Sequence, residues 1–83
     1  MYGNDDARFH GRLGALLAAM RDERGLSQEA LAVQLQRDQS YISRIESGER
    51  HASLTFLLEW ADALSLDFAI VATQVQATWR DCN

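Results

Sequence analysis

SQEALAVQLQRDQSYISRIESGER, residues 27–50, carries two short amphipathic helices and a break between them, in a chain whose net charge is −4. Ser27 stands where a hydroxyl caps a helix, and Glu29 lies at the positive end of that helix's dipole. The first helix is predicted over Gln28–Leu35, with Ala30, Leu31 and Leu35 turned inward. Gln36 and Arg37 interrupt it. Asp38 is the predicted cap of a second helix over Gln39–Ser47, closed by Gly48. Ile42 and Ile45 point inward there, while Gln39, Ser40, Ser43 and Arg44 gather on the opposite side.

Working outward, Phe9, Leu13, Leu16, Leu17 and Met20 recur at helical spacing and predict a preceding helix, capped by Asp5 or Asp6 and ended by Gly25. Gly11 and Gly14 weaken that helix by about 1 kcal/mol each relative to Ala, a cost that close packing against a neighbour would repay. Ser53 opens a further helix whose stripe is Leu54, Leu57, Leu58, Ala61 and Leu64, with Trp60 at its edge. Beyond Leu64 the pattern changes. DFAIVATQV, residues 67–75, is rich in β-branched and aromatic residues and reads as a strand, Phe68, Ile70 and Ala72 on one face and Val71 and Val75 on the other. A lone strand needs a partner, which a second copy of the chain supplies across a twofold axis. A fifth helix is the alternative.

The chain has 83 residues, 47% of them apolar, which makes one small globular domain. Chains this small bury limited surface, and dimerisation is a common remedy. No apolar run is long enough to cross a membrane, and the N-terminus lacks a signal-peptide core. A single cysteine, Cys82, fits a reducing cytoplasm. The chain has 8 arginines and no lysine, and arginine is the cation best suited to bidentate contact with phosphate or guanine. Arg8, Arg12, Arg21, Arg24, Arg37, Arg44 and Arg50 nearly balance the acids of residues 1–58, whereas Glu59, Asp62, Asp67 and Asp81 face Arg80 alone in residues 59–83. A sequence pI near 4.9 argues against strong nonspecific binding of nucleic acid.

Leu26-Ser27-Gln28-Glu29, Leu31-Ala32, Leu35, Ser40-Tyr41-Ile42-Ser43-Arg44-Ile45-Glu46, Gly48 and Arg50 together resemble the helix-turn-helix of the lambda repressor/Cro-like (XRE-family) regulators. The likeness covers about residues 12–66 and continues through Ser53-Leu54, Leu57-Leu58, Ala61 and Leu64. It implies a mainly α domain of four or five helices that binds double-stranded DNA as a dimer. Residues 1–66 are then the DNA-binding domain, with the helix-turn-helix at 27–47. Residues 67–83 form a C-terminal strand and tail whose Phe68, Ile70, Val71, Val75 and Trp79 serve dimerisation. By the same resemblance Gln39, Ser40, Ser43 and Arg44 are base-contacting positions, and Gln28, Tyr41 and Arg50 meet phosphate; Arg37, which cannot fill the apolar slot of the turn, is expected to swing out to phosphate. Gln28 also braces Gln39, and Glu46 is tied to the fold by an arginine of the first helix, Arg12 or Arg21. The chain departs from the family at the turn, where Gln36-Arg37 replaces a glycine and an apolar residue, and at Ala52, where proline is common. The tail LEWADALSLDFAIVAT, residues 58–73, is similar to HipB-type antitoxins, which implies a toxin kinase as a second partner.

The chemistry stands beside the resemblance. The major groove admits one helix, and its base edges are read by short polar side chains and arginine. Helix N-termini bring backbone N–H groups to phosphate without any net positive charge. His10 and His51 are distant in the sequence and the cysteine is terminal, so no metal or other cofactor is expected. No nucleophile, base and pocket combine, so the chain is not expected to be an enzyme. Three readings follow: a homodimeric repressor on a near-palindromic operator, an antitoxin, or an interaction module that has lost DNA binding.

Overall fold

In the computed structural model, which describes residues 3–82, the chain forms five helices: α1 (Gly3–Glu23), α2 (Gln28–Leu35), α3 (Gln39–Glu46), α4 (Leu54–Ala63) and α5 (Phe68–Cys82). The terminal residues of the two predicted segments, at 1–2 and 83, lie outside the described residues. Local chemistry sets the starts. The Ser27 hydroxyl accepts a hydrogen bond from the Ala30 N–H and the Ser53 hydroxyl one from Phe56, both at 3.0 Å. Asp38 occupies the cap position of α3 without a side-chain cap bond. α1 begins at Gly3, before either predicted aspartate cap.

Three helices end in one motif with three different residues. After α1, α2 and α4 the N–H groups of Leu26, Arg37 and Leu66 donate back to the carbonyls of Arg21, Ala32 and Ala61, and the residue before each has positive φ. That residue is Gly25 after α1, but Gln36 after α2 and Ser65 after α4, both with φ of 56°. Gln36 thus takes the backbone conformation that the family's usual glycine provides. An L-residue there costs roughly 1–2 kcal/mol, and glycine's greater chain entropy returns about half of that. Gln36→Gly is therefore expected to stabilise the protein by about 0.5–1 kcal/mol, seen as a higher urea midpoint at an unchanged m-value.

α3 packs on α1 and α2, α2 on α4, and α5 on α1 and α4. The core at their meeting is built from Leu13, Leu17, Leu31, Ile42, Ile45, Phe56, Trp60 and Val71. Trp60, predicted at the edge of its stripe, is only 1% exposed and fills the centre, while Leu54 and Leu58 lie outside as exposed apolar residues. Gly14 allows α1 to approach α3 closely, because a Cβ on it would overlap the backbone carbonyl of Ile45.

Residues 68–82 are helix α5 and not the predicted strand. The β-branched composition is outweighed by tertiary packing, which turns one face of the segment onto α1 and α4. Val71, placed by the sequence at a dimer interface, is 0% exposed within its own chain and belongs to the core. Phe68 and Val75 pack partly against the same core, and Trp79 meets the Phe9 ring edge-on at 5.2 Å. Ile70 alone of the predicted interface residues is exposed. The HipB likeness rested on the strand, and the helix removes its footing.

Candidate nucleic-acid interface

α3 presents its face as its sequence predicts. Ile42 and Ile45 are buried, Gln39, Ser40 and Arg44 are exposed, and Ser43 is half-buried between them. Two chemical devices hold this face.

The first is a polar relay that starts in α1. Arg21 makes a bidentate pair with Glu46, its Nε donating to Oε2 at 2.7 Å and its Nη2 to Oε1 at 3.0 Å. Its Nη1 donates to the Leu26 carbonyl at 2.6 Å, so one guanidinium joins α1, the α1–α2 connection and α3. The Arg21 and Glu46 side chains are 12% and 7% exposed, so the pair is largely shielded from water. Hydrogen bonding to Glu46 holds the Arg21 guanidinium above its ordinary pKa. Gln28 Nε2 donates to Glu46 Oε1 at 2.8 Å, and Gln39 Nε2 donates to Gln28 Oε1 at 2.6 Å. The first residue of α3 is thereby fixed by a chain of contacts reaching back to α1. Of the two arginines the sequence offered for Glu46, the fold uses Arg21.

The second device is aromatic. The guanidinium groups of Arg37 and Arg50 lie over the Tyr41 ring, 4.4 and 4.5 Å from its centroid. The ring is anchored to the core through Phe56, 5.8 Å away. Arg37 also reaches Glu59 at 3.6 Å. Tyr41 therefore gathers two arginines from the α2–α3 turn and the α3–α4 connection at one place. Sequence reading treated these three residues separately; the helical position of Tyr41 between two flanking arginines was the signal. Arg44 is left with a long 4.0 Å contact to Glu49, both side chains well exposed.

The structure also joins residues the sequence kept apart. The His10 and His51 rings stack at 3.7 Å, beside Asp6. Burial and the neighbouring His51 lower the His10 pKa, and Asp6 opposes the shift. Distance along the chain is thus no guide to these two histidines: Gly48, at φ +83°, lets the α3–α4 connection rest on the α1 backbone at Gly11.

Comparison with known proteins agrees with this fold. A family model described as a helix-turn-helix domain matches residues 12–72. An uncharacterised HTH-type transcriptional regulator of Sinorhizobium fredii, y4dJ, is 32% identical over 66 residues, covering 80% of this chain and 86% of that protein. Among solved structures, the restriction-modification controller protein C.AhdI from Aeromonas hydrophila superposes with a TM-score of 0.70 at 36% identity, covering 74% of this chain and 88% of that one. A point mutant of the controller protein C.Esp1396I shares the fold, with a TM-score of 0.76 at 23% identity over 84% of this chain and 93% of that one. With the matched family model spanning both helices and their capped turn, the chain belongs to the helix-turn-helix transcriptional regulators of the lambda repressor/Cro type.

Proposed function

We propose that the protein is a sequence-specific DNA-binding regulator that acts as a homodimer on a near-palindromic operator and represses by occupying it. The relay from Arg21 through Glu46 and Gln28 to Gln39 carries this reading. A solvated glutamine gains little from being held in one rotamer, whereas a base-reading glutamine binds better when its ordering cost is met before binding. Gln39 donates one amide hydrogen inward and keeps a second hydrogen and its carbonyl oxygen, the pair that matches adenine N7 and N6. Ser40, Ser43 and Arg44 take adjoining base edges, and Gln28 with the Tyr41-bound Arg37 and Arg50 takes phosphate. The N-terminal N–H groups of α2 and α3 add phosphate donors that net charge does not reveal.

Dimerisation is supported by the exposed Ile70 on α5 and the exposed Leu54 and Leu58 on α4, apolar side chains that the chain's own core leaves in water. A dimer would set two α3 helices about 34 Å apart, one turn of the duplex. The likeness to a restriction-modification controller supports a regulator of this compact kind.

Selection of bound sequences from random duplex DNA, at two salt concentrations, tests the proposal. Enrichment of an inverted repeat is the expected outcome; flat binding of all sequences at low salt would sink it. Arg44→Ala is expected to cost about 2 kcal/mol on the selected operator and to relax preference at one base pair per half-site, whereas a uniform loss on all sequences would move Arg44 to phosphate.

A further inference from the structure

Asp6 and His10 lie one turn apart on α1, and His51 reaches them from the connection between α3 and α4. The two imidazoles are nearly parallel, 7° apart, and both present Nε2 to the same carboxylate. His10 Nε2 is 3.3 Å from Asp6 Oδ1, and His51 Nε2 is 3.9 Å from Asp6 Oδ2. One donor atom from each residue falls within 4.8 Å of the other two. The relay at Glu46 and the arginine cluster at Tyr41 use none of these three residues.

We infer that Asp6, His10 and His51 form a binding site for a divalent transition metal of the zinc type. A tetrahedral ion about 2.0–2.1 Å from each donor needs those donors roughly 3.3 Å apart. The Asp6–His10 separation already has that value. His51 closes the remaining gap by side-chain rotation, which is open to it because its side chain is 62% exposed. The His10 side chain is 14% exposed and held on a helix, so it supplies the fixed wall of the site. Two imidazoles and one carboxylate suit zinc, nickel or cobalt, whereas magnesium and calcium prefer all-oxygen sets. Three protein ligands leave the fourth position to water or to a ligand from outside. The ion would pin the α3–α4 connection, which carries Arg50, to α1.

The test needs no DNA and is separate from the proposed operator reading. The full chain, stripped with chelator, is titrated with Zn2+ by calorimetry and followed by thermal melting; Co2+ in its place gives visible absorption of a tetrahedral site. One ion per chain is expected, with a Tm rise on the order of 10 °C at a hundredfold excess over Kd. His51→Ala and Asp6→Asn should each weaken binding at least about tenfold. Their metal-free melting should stay close to the parent's, since both side chains are largely outside the core. Cys82→Ser should bind as the parent does. Absence of saturable binding below about 1 mM Zn2+, unchanged affinity in His51→Ala or Asp6→Asn, or loss of binding in Cys82→Ser would overturn the assignment.

Discussion

Glu46→Ala is expected to lower the unfolding free energy by about 3–4 kcal/mol and to weaken operator binding beyond what the unfolded fraction explains. The stability loss comes from Arg21. Its guanidinium is largely shielded and gives two of its donors to Glu46, so truncation leaves a partly buried cation whose remaining acceptor in this relay is the Leu26 carbonyl. The binding loss comes from Gln28, which loses the acceptor that orients its amide and therefore no longer fixes Gln39. The two effects separate in a double variant. Replacing Arg21 and Glu46 together by methionine removes the charge and the orphan at once, and such swaps are often near neutral in stability. The double variant should recover most of the folding energy, read from urea unfolding, but none of the operator affinity. Full recovery of both would mean that Gln39 needs no anchor.

This relay also marks what the sequence could convey. The link between Gln28, Gln39 and Glu46 was legible through the family resemblance, which implied it, while caps and periodicity fixed only where the two short helices begin. The choice of Arg21 over Arg12 was not, since both lie on α1 and only the crossing of α1 over α3 decides between them. The tail failed for a related reason. Residues 67–75 carry strand-like composition, and period alone does not separate a short apolar strand from a helix whose face is buried by neighbours. Val71 is the pivot: read as a strand residue it faces a partner, and read in α5 it completes the core. The stacking of His10 on His51 was equally hidden, because nothing local announces that the α3–α4 connection folds back on α1.

The same seam sets the last expectation. Gly14→Ala should destabilise the protein by about 3 kcal/mol, although alanine is the better helix former by about 1 kcal/mol. In the middle of α1 a new methyl would overlap the Ile45 carbonyl and come within 2.8 Å of the Glu46 backbone carbon. These are backbone atoms of α3, so no rotamer change relieves the contact, and α1 and α3 must part. Parting them stretches the Arg21–Glu46 pair, which already spans the seam at 2.7 Å. Gly11→Ala is the matched control, because its Cβ would meet nothing nearby, and it should leave stability unchanged or raise it by up to about 1 kcal/mol. Urea unfolding of the two variants distinguishes helix propensity from helix contact at positions one turn apart. Equal gains in both would show that α1 and α3 tolerate separation, and that the close approach is not what positions Gln39, Ser40 and Arg44.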